Sequence, residues 1–449
     1  MSELPPIRPD WLRHIRRTGP LFTAAGPVRE RQPMGPNHRL RRDRTLDASL
    51  ALLADPYRYV ARRCDALDTD LFETRLLLRP IVCMRGADAA RLFYDPERFV
   101  RAGAMPRPLR KTLLGEGGVQ SLDGALQHDR KAMFLALMER GPIEDLVASF
   151  VGEWERAAPR WAASGPIRLY PAVQALLTRA VCGWAGVPLA PGEEALRTRQ
   201  LSELFDHAGA RGPAHLRARL ARIAADRWAA GLIRRARRGE PVFRPGSPAE
   251  LIAAHRNPGG ALLEPKVAAV ELLNLLRPTV AVSVYILFVA HALALHSPPA
   301  ASLAEPRYRR AFVDEVRRFY PFFPALMARV RQDFEWRGAA FTKGRRVLLD
   351  LYGTNHHPDW WELPESFRPE RFLGLAPNPW SFIPQGGGVH AAGHRCPGEW
   401  ITIALMEAAV ELLARRMRYT LPPQDLSLDF RRLPALPRSR VVIEVKGMA

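Results

Sequence analysis

Cysteine is scarce in this chain of 449 residues: only Cys64, Cys83, Cys182 and Cys396 are present, and no two of them share a CxxC or CxxH spacing. That excludes a disulfide-stapled scaffold or a zinc ribbon and fits a reducing compartment. Lysine is scarce too, so the formal charge of +20 is carried almost entirely by arginine. The basic residues are not interleaved with stacking aromatics and belong to no nucleic-acid-reading module. They read as solvated surface, and no nucleic-acid partner is expected. The longest apolar run, Val280 to Leu295, falls short of a bilayer's thickness and reads as a buried helix. The start, MSELPPIRPDWLRHIRRTGP, has no apolar signal core. These absences point to a cytoplasmic protein with no integral membrane segment. Internal repeats are lacking as well: PERF occurs at Pro96–Phe99 and Pro369–Phe372, in unrelated contexts.

What is present is enough apolar residue, 47% of the chain against 25% charged, to bury a large core. Residues 1–43 are rich in arginine and proline with little periodicity and read as a flexible arm, or as an over-long start with Met34 the initiator. Residues 44–449 read as a single domain, mainly α with small β-sheets. A hairpin is predicted over Glu73–Arg85, broken at Arg79-Pro80. Helices are predicted over Asp123–Met138, Pro142–Ala157, Pro171–Ala185, His215–Arg238, Pro265–Leu295, Ala304–Phe319 and Trp400–Met417. In the fourth of these, Leu216, Leu220 and Ile223 mark the apolar face. Short strands are expected at Asp333–Trp336, Arg346–Leu351 and Arg438–Val445.

The most informative stretch is Phe382 to Glu399, FIPQGGGVHAAGHRCPGE. Its glycines let backbone approach something large and flat. Cys396 lies just before a helix N-terminus, where amide dipoles favour thiolate. One anionic sulfur on a loop suits an axial iron ligand; the plain alternative is a small buried cysteine before a helix. Two distant pieces weigh against that alternative. Glu315 and Arg318 stand three apart on one helix face, and Phe367–Phe372 (FRPERF) brings Arg371 shortly before the cysteine loop.

Helix ExxR, then PERF, then a Gly-rich cysteine loop, in that order, resemble the cytochrome P-450 superfamily. The resemblance implies the fold of that superfamily, haem b as cofactor, Cys396 as the iron's thiolate ligand, and a structural trio of Glu315, Arg318 and Arg371. The long GGGxHxxGHRCPGE loop is similar to that of the fatty-acid peroxygenase branch, which uses hydrogen peroxide directly. Similarity runs from about Leu46 to Lys446 through DLFETRLL, LFYDPERF, GVQSLDG, LLNLLRPTV and EVRRFYPF. It further implies that Gln120 stands where hydroxylating members carry glutamine and a decarboxylating one carries histidine. Lys131, and less clearly Gln127, would meet the haem propionates; members often have histidine at the Gln127 position, and here His128 is displaced by one. Leu114 stands where an aromatic is usual. His390 and His394 read as residues of the loop or of the propionate side, not as metal ligands.

In NLLRPT, Asn274–Thr279, Arg277 and Pro278 replace the acid–threonine pair usual in the superfamily. Pro278 removes a helix donor and opens the turn around Asn274. A buried guanidinium demands a partner, and the one acid near in sequence, Glu271, is almost two turns away. The simplest partner is a substrate carboxylate held bidentately; the alternative is another protein carboxylate or a haem propionate. The expected function is therefore peroxide-driven hydroxylation of long-chain fatty acids at the α or β carbon. Arg277 binds the acid and the substrate's own carboxylate acts as general acid/base, so no redox protein is required. The alternatives are decarboxylation to terminal alkenes, a redox-partner-dependent monooxygenase of the same fold, and a haem sensor or carrier.

Overall fold

The computed structural model describes residues 40–374 and 376–448. The predicted arm therefore lies outside the described residues except at its end. There Arg41–Arg42 already forms a strand, β1, so the globular unit starts at least three residues earlier than predicted. Two arginines carry no periodicity; they join the edge of a sheet beside Phe72 and Glu73, and Arg42 Nε lies 3.6 Å from the Glu73 carboxylate.

The strands that follow are β2 (Leu71–Leu76), β3 (Arg79–Met84), β4 (Phe99–Val100), β5 (Ile167–Arg168), β6 (Ala325–Val330), β7 (Phe334–Trp336), β8 (Ala339–Phe341), β9 (Arg346–Asp350), β10 (Met417–Thr420) and β11 (Val442–Met448). They form a six-stranded sheet in the order β1-β2-β3-β9-β6-β4, a three-stranded sheet β10-β11-β5, and the hairpin β7-β8. The first hairpin turns at Leu77–Leu78, not at the predicted Arg79-Pro80. Pro80 sits inside β3, and the ladder to β9 begins only at Ile81, so its missing N–H leaves no gap.

Helices make up the rest. The central one, Pro265–His296, is buried on every side, as its all-round apolar sequence requires. It packs against Leu169–Ala185, Glu194–Asp206, Gly212–Arg237 and Glu399–Glu411. By length and composition it could cross a bilayer, but here it is the axis of the main core. Between Ala268 and Ala292 one residue alone is not fully buried, Pro278.

The helix Gly212–Arg237 corrects the sequence reading. Leu216 and Leu220, taken as its apolar face, are mostly exposed; the buried stripe is Ala218, Arg222, Ala225, Ala229 and Ile233. Alanine lets the helix approach its neighbours closely, and the buried Arg222 has the Asp226 carboxylate 2.8 Å away, one turn on, although none of its guanidinium nitrogens makes a hydrogen bond among the described residues.

Candidate active site

The cysteine loop is held from below by two ion-pair clusters. In the first, Glu315 takes Arg318 bidentately (2.7 and 2.8 Å), Arg371 at 3.2 Å and the Arg368 amide at 2.8 Å. Arg318 also donates to the carbonyls of Asn355, Pro364 and Ser366. Asn355 in turn accepts the Ile383 amide, the start of the loop. The three residues proposed as a structural trio thus converge on the segment feeding the cysteine.

The second cluster was not foreseen. Glu399 accepts from Arg317 and, at 2.6 and 3.0 Å, from Arg395, and these partners hold its carboxyl down at about 2 against burial. Gln385 Oε1 accepts from Arg317 Nε and its Nε2 donates to Thr402 Oγ1, while its backbone carbonyl accepts the Cys396 amide at 3.1 Å. The spacing of Arg395 and Glu399, four apart across the helix start, was the available signal.

The loop glycines also lie close to protein neighbours: a Cβ on Gly386 would stand 2.8 Å from the Tyr94 hydroxyl, and one on Gly388 would stand 2.8 Å from the Trp380 ring. Both also have positive φ, 100° and 85°, which glycine adopts without strain.

Cys396 lies deep in the fold yet keeps some accessible surface. Burial first, then Glu399, push its thiol up, against the Gly398 amide, Lys131 and Arg277, which pull it down. The amide at the helix start thus acts toward thiolate and burial against it; a bound metal would complete the deprotonation, since a coordinating thiol is deprotonated. Among the described residues no three His, Cys, Asp or Glu converge. The donor set is one sulfur, which fits the axial ligand of an iron held by a macrocycle. Cys396 and Arg277 are near enough to act on each other's charge: the guanidinium pulls the thiol down and the sulfur pulls the guanidinium up.

Lys131 and Gln127 both reach the cysteine loop. Lys131 Nζ donates to the carbonyls of Ala392, Gly393 and Arg395 at 2.9, 2.9 and 3.0 Å, and Gln127 Nε2 to Gly393 at 2.8 Å. Burial lowers the Lys131 ammonium to about 8. His394 contacts Asp123 at 3.3 Å and His390 the Pro397 carbonyl at 3.1 Å.

Above the cysteine, a polar chain runs along the central helix. Glu271 pairs with Arg130 at 2.6 Å, accepts the Val119 amide at 2.9 Å, and takes one N–H of Asn274 at 2.9 Å. Asn274 also donates to Gln120 Oε1 at 3.1 Å, and its own oxygen accepts from Arg277 Nη2 at 3.2 Å. Glu271 is thus committed elsewhere. Among the described residues eight arginines are buried, and seven of them lie within 4 Å of a carboxylate. Arg277 is the eighth. Its Nε has no hydrogen-bond partner. Burial, with Arg222 adding repulsion, lowers it from 12.5 to about 9 despite Cys396.

A family model described as cytochrome P450 matches residues 289–444. Cytochrome P450 71A8 of Mentha piperita is 29% identical over 152 residues, 33% of this chain and 30% of that protein. Cytochrome P450 84A4 of Arabidopsis thaliana is 33% identical over 120 residues, 26% and 23% of the two chains. The matches thus span less than a third of the length of these curated relatives. Solved structures match far more of the chain. Cytochrome P450SP alpha in complex with (R)-ibuprophen is 53% identical, with TM-score 0.87 over 89% of this chain and 98% of that one. Cytochrome P450EX alpha with myristic acid is 42% identical, with TM-score 0.86 over 90% and 98%. Ligand-free cytochrome P450 OleT is 31% identical, with TM-score 0.88 over 91% and 99%.

Proposed function

This chain belongs to the cytochrome P450 family, and from that premise we propose that it is a haem-thiolate peroxygenase hydroxylating long-chain fatty acids at the α or β carbon. The observation that carries the reading is Arg277, the one buried arginine among the described residues with no carboxylate within 4 Å, near enough to Cys396 for their charges to interact. A guanidinium so placed selects a ligand with an anionic head and an apolar body. Myristic acid, bound by P450EX alpha, and ibuprofen, bound by P450SP alpha, both answer to that description.

Cys396 would hold the iron of haem b; Lys131 and Gln127 lie at the loop edge where the propionates are expected. When bound, the haem supplies the oxidising chemistry: one C–H bond and hydrogen peroxide become C–OH and water. The chain's own residues bind and orient. Arg277 fixes the acid's head, so the carbons adjacent to it are the ones presented. Asn274 holds the guanidinium in place through Oδ1 and is itself held by Glu271 and Gln120. Neither Arg277 nor Pro278 offers an acidic proton at neutral pH. The substrate carboxylate, seated on Arg277, therefore takes a proton from hydrogen peroxide and returns it to the departing oxygen.

No redox protein is needed, and the site of action is the cytoplasm. The test is product analysis after mixing the haem-loaded protein, myristic acid and hydrogen peroxide. Hydroxy acids support the reading. Terminal alkenes would move the assignment to decarboxylation, and turnover only with a reduced nicotinamide cofactor and a reductase would make it a conventional monooxygenase.

A further inference from the structure

Five leucines stand exposed at one corner of the molecule. Leu50 and Leu53, three apart on the helix Ser49–Ala54, are 74% and 39% exposed, and Leu46, in the segment leading into that helix, is 73% exposed. Leu77 and Leu78 form the tip of the β2–β3 hairpin at 69% and 68%. The two groups make one patch: the Leu77 amide donates to Ser49 Oγ at 2.8 Å, the Leu78 amide to the Asp47 carboxylate, and the Ala48 amide to the Arg75 carbonyl at 2.8 Å.

The hairpin tip is the telling part. Leu77 and Leu78 have φ of 53° and 60°, the two-residue left-handed turn for which Asn-Gly is suited and leucine is not. Their side chains face outward, so neither the turn nor the core explains them. Exposed arginines surround the patch: Arg41, Arg42, Arg44, Arg75 and Arg79. The acids nearby are partly committed: Asp43 to Tyr59 and Thr45, Asp47 to the amides of Ser49 and Leu78, and Glu73 to Arg345, with Arg42 also 3.6 Å from Glu73. Leu53 also lines a cavity of about 150 Å³ with Pro56, Leu433 and Arg432, so the patch borders an opening in the fold.

We propose that this corner docks the enzyme on an anionic lipid surface, with the leucines in the boundary between headgroups and acyl chains and the arginines on the phosphates. The proposal rests on the fatty-acid reading, because a long-chain acid resides in such a layer.

The experiment uses the full-length holoenzyme and flotation with vesicles of phosphatidylcholine, with and without about 30% phosphatidylglycerol as the anionic lipid. Binding to the anionic vesicles alone, weakened by salt, is expected. The double variant Leu77→Asn, Leu78→Gly suits the turn, so it folds; it and Leu46→Gln with Leu50→Gln should each lose at least tenfold in binding. Their turnover of a short, freely soluble fatty acid should match wild type. Binding is read without substrate and turnover without vesicles, so the two ideas fail separately. A wild-type chain that ignores anionic vesicles overturns the proposal. So do variants that bind like wild type, or a patch that proves to be covered by a second copy in solution or by residues 1–39.

Discussion

Replacing Arg277 with methionine, similar in length and uncharged, should make the substrate-free protein more stable while destroying its activity. The guanidinium is 5% exposed, and its one hydrogen bond to a neighbouring side chain is the 3.2 Å contact with Asn274. Its fall from 12.5 to about 9 is dominated by burial; at ~1.36 kcal/mol per pH unit it corresponds to a penalty on the order of 5 kcal/mol. For a base whose folded value is depressed, that penalty is full wherever the group is charged in both states, below about pH 9. It shrinks as pH rises from there towards 12.5, because the folded state releases its proton first. The methionine variant should therefore unfold at a higher denaturant midpoint, with a gain of about 2–5 kcal/mol at pH 7 that narrows at pH 10. Myristic acid should stabilise the wild type and leave the variant unchanged. Losing a buried carboxylate–guanidinium pair costs about 3–5 kcal/mol, so kcat/KM with peroxide should fall by at least ~100-fold. A variant that is less stable than wild type and still turns over fatty acid would refute the reasoning.

Glu315→Ala leaves Arg318, 1% exposed, without its bidentate partner; a loss of about 3–5 kcal/mol and a lower haem-to-protein ratio are expected, read by denaturation and absorbance. Burial raises the Asp350 carboxyl to about 7, so the wild type loses stability as pH climbs from 3.8 to 7, where the unfolded chain ionises first. Asp350→Asn should remove that slope, gaining on the order of 2–4 kcal/mol over wild type at pH 8 and little at pH 4, measured as midpoints at the two pH values. Gln120→His should raise the proportion of terminal alkene among the products of a long-chain acid, seen by gas chromatography; an unchanged ratio would remove Gln120 from the product-determining position.

The central helix, Pro265–His296, was legible because its apolar patterning is unbroken, whereas Arg140–Ser164 runs seven residues past the predicted end at Ala157 and the amphipathic helix Glu194–Asp206 was not predicted. The helix Gly212–Arg237 misled because its buried stripe is alanine and one paired arginine, which periodicity ranks below the leucines it leaves in water. The ordered ExxR, PERF and cysteine motifs located the loop and the Glu315 cluster. They were silent on the Glu399 cluster, since Arg317 is brought to it only by folding.

Asn274 is the residue on which the unpaired state of Arg277 turns. Glu271 and Arg277 are six apart on the helix and project about 120° from each other at 3.6 residues per turn, so they do not meet. Asn274, three from each, spans them, and its amide has the polarity to do so: its N–H side serves Glu271 and its oxygen serves Arg277. The orientation is fixed because Glu271 can only accept. An amide satisfies a guanidinium N–H without neutralising it, so the positive charge remains for a ligand. Asn274→Asp would place a carboxylate at the position 3.2 Å from Arg277 and supply the missing counter-ion. It would also set a second acid against Glu271, whose carboxyl burial already pushes up. The expected outcome is a loss of fatty-acid affinity of ~100-fold or more, as the substrate head meets a neutralised site, with a smaller effect on an uncharged ester of the same acid. Titrating both ligands against wild type and variant measures the contrast. Equal losses for acid and ester would mean that Asn274 only shapes the cavity, and that Arg277 is not kept unpaired for the acid.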